Sequence, residues 1–134
     1  MKNKYTYSKK LMKHFKKPKY VKTLKKPDGI GEVGNAACGD VMHLEIKIKK
    51  DKKIGKEKIK KIGFKTFGCP AAIASSDVVC DIAKNKTLED AKKINKDSII
   101  KELGGMPPIK VHCSILGIQA LNKAIKDYEE KNKN

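Results

Sequence analysis

The hydrophobic period of this chain changes once, at Phe67-Gly68-Cys69-Pro70, and that change constrains the fold more than any other feature. Upstream, Val41, Leu44, Ile46 and Ile48 alternate, imperfectly at first, with Met42, Glu45 and Lys47, as a strand with one wet face requires. A lysine-rich turn over Asp51 to Gly55 leads to a second run, Ile59 and then Ile62, Phe64 and Thr66. The two runs predict an antiparallel hairpin, joined by a third strand near Gly31 to Ala36. Downstream, apolar residues recur at every third or fourth position, the spacing of helices. Pro70 stands where the first residue of a helix tolerates a missing N–H, directly after Cys69. Ala72, Ser76, Val79 and Ala83 mark one face of that helix, and Asp77, Asp81 and Lys84 the opposite face. Thr87-Leu88-Glu89-Asp90 predicts a capped start to a short helix, and Ser98 to Leu103 a second, stopped by Gly104-Gly105 and Pro107-Pro108. A last helix begins near Cys113 or Ser114 and buries Ile118, Leu121, Ile125 and Tyr128. Strands followed by helices give an α+β domain, a small three-stranded antiparallel sheet with helices packed on one face. The length, 134 residues, makes 1–134 one domain.

Residues 1–27 read differently, with 11 lysines and no carboxylate. Tyr7, Leu11, Met12 and Phe15 form an apolar stripe at helical spacing, ended by Pro18, so a short helix docks here. After it comes Lys25-Lys26-Pro27-Asp28-Gly29, and 1–29 is expected to be a lysine-rich, partly mobile segment.

The whole chain carries 32 basic and 15 acidic residues, a formal +17, and every basic residue is Lys. Sequence-reading of nucleic acid leans on the planar Arg fork and on stacking rings, and here Arg and Trp are absent and aromatics are 5%. No dedicated nucleic-acid partner is therefore expected. Acidic protein surfaces and a general lysine-rich surface chemistry both fit the charge, and docking by it would weaken with salt. No run approaches the ~18 apolar residues of a membrane span, so no membrane role is expected.

Cys38, Cys69, Cys80 and Cys113 form no C-x-x-C pair, which argues against a zinc finger or thioredoxin-like site. The first residues, Met1-Lys2-Asn3-Lys4-Tyr5, lack a signal-like apolar run, and a reducing, cytoplasmic setting follows as an expectation. The thiols are then either buried fillers or ligands. Cys69 and Cys113 each fall at a helix start, where free amides and the helix dipole favour thiolate. Cys38 lies in a Gly-bounded loop two residues before Asp40, and His112 precedes Cys113. Three thiolates, a carboxylate and an imidazole would suit a soft metal, although scattered cysteines are often only packing. Cys80 lies about 16 Å along the helix from Cys69 at 1.5 Å per residue and reads as a buried filler.

Several segments carry a resemblance. Cys38-Gly39-Asp40-Val41-Met42, Phe67-Gly68-Cys69 with Ala71-Ala72-Ile73-Ala74-Ser75-Ser76, and the run Met106-Pro107-Pro108-Ile109-Lys110-Val111-His112-Cys113-Ser114-Ile115-Leu116 resemble the iron–sulfur cluster scaffold family IscU/NifU. Tyr7-Ser8 through His14-Phe15 and Lys86-Thr87-Leu88-Glu89-Asp90-Ala91 are similar to further segments of that family, in its order and over nearly the whole chain. The resemblance implies an IscU-like fold and a scaffold, not a turnover enzyme. Such a scaffold accepts persulfide sulfur from a cysteine desulfurase, receives iron, builds a transient [2Fe–2S] cluster and transfers it to apo-proteins. It implies Cys38, Cys69 and Cys113 as cluster thiolates, Cys113 as persulfide acceptor, His112 as fourth ligand or proton partner, and Asp40 as the exchangeable ligand. A hard carboxylate among thiolates favours release over storage. Without iron the same residues would hold zinc.

Met106-Pro107-Pro108-Ile109-Lys110 resembles the family's Leu-Pro-Pro-Val-Lys segment, the docking site of a DnaK-type chaperone, and the two prolines suggest an extended conformation. The resemblance also implies a frataxin-like protein and a ferredoxin as partners. Pro70 stands where the family usually has Gly, and Lys17-Pro18-Lys19-Tyr20 replaces its Asn-Pro-Arg-Asn. The alternative is a zinc-dependent sulfurtransferase of the SufU type. Those relatives carry a long insertion before the last Cys and lack the His-Cys pair, whereas this chain has a short connection and His112-Cys113.

Overall fold

The computed structural model describes residues 7–35 and 40–132. Helix α1 (Lys9–Lys16) precedes strands β1 (Gly29–Asn35), β2 (Asp40–Asp51) and β3 (Lys56–Phe67). Helices α2 (Pro70–Ala83), α3 (Leu88–Ala91) and α4 (Lys96–Glu102), a 3₁₀ turn over Pro108–Lys110 and helix α5 (Cys113–Lys131) follow. The strands form one antiparallel sheet in the order β1-β2-β3. The α+β architecture is as expected, with β1 starting two residues before Gly31; the far end of that expected strand, Ala36, lies outside the described residues.

The irregular spacing from Ile59 to Ile62 has a structural cause. Ile46 pairs with Ile62 and Lys47 with Lys61, but Ile48 pairs with Ile59, so β3 holds one extra residue. This β-bulge turns Lys60 and Lys61 both outward while Ile59 and Ile62 stay buried. The phase at the start of β2 is opposite to expectation: Met42 faces the core with Leu44 and Ile46, and Val41 lies on the outer face, 46% exposed.

Helix α5 covers β1 and β2, and α2 packs on β3, α5 and α1. Two glycines set the approach of α5. A Cβ at Gly31 would overlap the Ala120 carbonyl oxygen and stand 2.6 Å from the Ala124 nitrogen, and one at Gly29 would overlap the Ala124 carbonyl. Helix backbone therefore rests directly on strand backbone. This contact fixes the position of α5, and with it the position of Cys113 at its first residue.

The structure corrects the two-faced reading of α2, since ten of its 14 residues are buried, Asp77 among them. A buried carboxylate needs partners, and Asp77 has three: the amides of Lys19 (2.8 Å) and Tyr20 (3.0 Å) donate to Oδ1, and His14 Nδ1 lies 2.8 Å from Oδ2. Asp77 thus anchors the chain that follows α1. From Tyr20 this chain crosses the outer face of the sheet as a strap. The Phe64 amide donates to the Tyr20 carbonyl (2.8 Å), the Lys22 carbonyl sits where a Gly63 Cβ would be, and the Leu24 amide donates to Glu45 Oε1 (2.8 Å). The capped helix start at Thr87 is present, its hydroxyl accepting from the Asp90 amide, while α4 begins at Lys96 because Asn95 caps it. No described helix is long and apolar enough to cross a membrane.

Candidate metal centre

Three chain segments meet at one end of the sheet. β2 begins with Asp40, α2 follows its N-cap residue Cys69, and α5 starts at Cys113 after its N-cap residue His112. Gly68 lets them close up, since a Cβ there would stand 2.9 Å from the Ala72 Cβ and 3.1 Å from Asp40 Oδ1. Cys113 Sγ is central: it lies 3.4 Å from Cys69 Sγ, 3.5 Å from Asp40 Oδ2 and 3.4 Å from His112 Nε2. Around a tetrahedral metal with bonds of about 2.0–2.3 Å, neighbouring donors stand about 3.3–3.8 Å apart. Donor atoms of Asp40, His112 and Cys113 all lie within 4.8 Å of one another; Cys69 Sγ touches Cys113 Sγ at 3.4 Å but stands outside that mutually close group. The donor set, two thiols, an imidazole and a carboxylate, fits a thiophilic metal. Cys38, the third expected thiolate, lies outside the described residues.

The two thiols differ in electrostatics. The hydrogen bond from Cys113 holds Cys69 as thiolate; burial opposes this, but the Ala72 amide, Lys110 and the Ala71 amide add support, and its pKa falls to about 6. Cys113 moves the other way, pushed far above a free thiol by its hydrogen bond to the Cys69 thiolate, by burial and by the charges of Cys69 and Asp40. Two helix starts suggest two thiolates; with the sulfurs 3.4 Å apart, electrostatics favours one thiolate and one thiol sharing a proton, the Cys69 side being the more acidic. Lys110, held charged chiefly by Cys69, is a second contributor that its neighbours in sequence do not reveal. In metal-free protein, iodoacetamide should therefore alkylate Cys69 with a pH midpoint near 6 and leave Cys113 slow, as read by peptide mass mapping. Lys110→Ala should raise that midpoint. Equal rates at the two cysteines would contradict the assignment.

The proline segment is more folded than its sequence suggests: Pro107 is extended, but Pro108–Lys110 forms a 3₁₀ turn. Pro107 is buried and Met106 half-buried, and the Ile109 side chain lies outside the described ones. Cys80 is fully buried in the core, its thiol pushed well up by desolvation, as a filler should be. Sequence reading missed the exposed Phe67 (82%), which forms an apolar patch beside the centre with Val41 and Val21 on the outer face of the sheet. Only its position just before Gly68-Cys69, at the end of an alternating run, hints at that exposure.

Scaffold protein IscU 1 of Archaeoglobus fulgidus, described as an iron–sulfur cluster assembly protein, is 46% identical over 126 residues, 94% of this chain and 78% of the relative. The IscU scaffold of Rickettsia prowazekii is 47% identical over 131 residues, 96% and 95% of the two chains. Among solved structures, the N-terminal part of a nitrogen-fixing NifU-like protein from Brucella abortus superposes with a TM-score of 0.70 at 18% identity, covering 92% of this chain and 94% of that one. A candidate SUF-system scaffold from Fervidobacterium islandicum gives 0.71 at 22% identity, covering 89% and 96%. These two likenesses speak for the fold alone. The family model described as NifU-like N terminal domain matches residues 6–134, and the chain belongs to that family.

Proposed function

We propose that this chain is an iron–sulfur cluster assembly scaffold: it takes sulfur from a cysteine desulfurase, takes iron, holds a [2Fe–2S] cluster transiently and gives it to apo-proteins. The observation that carries the reading is the convergence of Cys69, Asp40 and His112 on Cys113 at 3.4–3.5 Å. Relatives at 46–47% identity named as IscU scaffolds support it. Cys38, Cys69 and Cys113 supply thiolates to the cargo, Cys38 on the strength of the Cys38-Gly39-Asp40 resemblance. Asp40 is the ligand that exchanges. His112 either completes the set or takes a proton. In the absence of iron, Zn²⁺ occupies the same donors.

Sulfur acceptance falls to Cys113 in this reading. Its thiol must first lose a proton, and His112 Nε2 and Asp40 Oδ2 are both within reach. The thiolate then attacks the outer sulfur of the donor persulfide, and the donor's own thiolate leaves. Cys113 is buried, so docking of the donor has to open the centre to it. Mass mapping after incubation with a desulfurase and cysteine should find the added sulfur on Cys113, and none in Cys113→Ser. Sulfur found on Cys69 in the unaltered chain would move the acceptor role to that residue.

The exposed patch of Val21, Val41 and Phe67 offers desulfurase or apo-protein an apolar surface beside the donors. The turn from Met106 to Lys110 is the proposed chaperone segment, and a frataxin-like protein and a ferredoxin complete the expected partners. The sulfurtransferase alternative gains no support from the SUF-type likeness at 22% identity, and the short connection to His112-Cys113 speaks against it.

A further inference from the structure

We propose that a lysine-lined groove at the far end of the sheet's outer face docks an acidic, extended segment of a partner protein. The groove, about 270 Å³, is lined by Leu24, Lys25, Lys26, Lys47, Lys60 and Lys61. Lys47 is occupied in holding the strap to the sheet, its ammonium donating to the Lys26 carbonyl (3.0 Å) and lying 3.4 Å from Asp28 Oδ1. Among the described residues, no carboxylate oxygen lies within 4.0 Å of the other four ammonium groups. Two local features bring these four together. The bulge in β3 turns consecutive Lys60 and Lys61 to the same side. The strap bends at Lys26, whose φ of 55° is in the left-handed region, and presents Lys25 and Lys26 opposite them.

Four unpaired like charges around one groove repel one another, and an anion entering the groove relieves that repulsion. The choice of anion follows from the lining. Ammonium groups on flexible stems match carboxylates as point charges, and the aliphatic Leu24 floor suits a polypeptide. A nucleic acid would be served by stacking rings or Arg forks, and neither lines this groove. Its location fits a tether: Lys47 is seven residues along β2 from Asp40, about 24 Å at ~3.4 Å per residue. A partner held there leaves Cys69 and Cys113 free and raises its own effective concentration at them.

The test uses metal-free protein, so it stands apart from the cluster reading. The probe is a fluorescein-labelled peptide of alternating Glu and Ser, with a Gln/Ser peptide and an oligothymidylate as comparisons. Amide shifts on titration should concentrate at residues 24–26, 47 and 60–61. Joint reversal of Lys25, Lys26, Lys60 and Lys61 to Glu should weaken the peptide by about tenfold or more, while reversal of Lys10, Lys16, Lys96 and Lys101 changes net charge equally and costs about twofold or less. The neutral set Lys25→Gln, Lys26→Gln, Lys60→Gln and Lys61→Gln, checked for native circular dichroism, should fall between. Equal weakening by the two reversals would mean a diffuse field and no site. Oligothymidylate binding more tightly in the groove than the peptide would overturn the choice of partner.

Discussion

Replacing Gly31 by valine should destabilise the domain by about 3 kcal/mol or more, because the new side chain has only backbone to meet. The Ala120 carbonyl and the Ala124 nitrogen of α5 occupy the space a Cβ would need, and a helix backbone cannot rotate aside as a flexible side chain does. Relief requires lifting α5 from the sheet, which uncovers Leu44, Ile46 and Ile125 and carries Cys113 away from Asp40. Gly31→Ala should already cost a large part of this. Gly34 provides the contrast on the same strand: a Cβ there would meet nothing within 4 Å, so Gly34→Ala should change stability by about 0.5 kcal/mol at most. Denaturant unfolding followed by circular dichroism checks the pair. Similar midpoints for Gly31→Val and Gly34→Ala would mean that α5 does not rest on β1 as described.

Asp40→Ala should prolong the life of a bound cluster and slow its handover to an apo-protein by about tenfold. Two effects of the carboxylate are lost together. In the proposed scaffold its oxygen would be the hard, exchangeable donor among soft ones, through which an incoming thiolate could displace the scaffold. Its charge also raises the Cys113 pKa, so removing it favours the thiolate that grips the metal. The readout is the decay of visible charge-transfer absorption after addition of apo-ferredoxin. Handover as fast as in the unaltered chain would remove Asp40 from the release step.

What the sequence made legible was local. The strand–turn–strand pattern, the Pro70 helix start and the Thr87 cap depend on residues within a few positions of one another, and all are present. The bulge between Ile59 and Ile62 was not read from that run, although one extra residue is what keeps both isoleucines on the buried face. Features that depend on distant partners were not legible. Asp77 looks like a wet-face residue until His14, 63 positions earlier, and the Lys19 and Tyr20 amides close on it. The protonation of Cys113 is set by Cys69 and Asp40, 44 and 73 positions away, and overrides the helix-start argument. The candidate centre itself came from the resemblance more than from spacing, because its donors sit on a strand start and two helix starts whose meeting only the fold supplies.

The most direct test of the central claim is anaerobic reconstitution with iron, cysteine and a desulfurase, followed by addition of apo-ferredoxin under visible absorption. The account predicts that a [2Fe–2S] spectrum forms on the chain and then passes quickly to the ferredoxin. Zinc that stays bound, with no cluster formed and the desulfurase nonetheless stimulated, would contradict it and establish a sulfurtransferase.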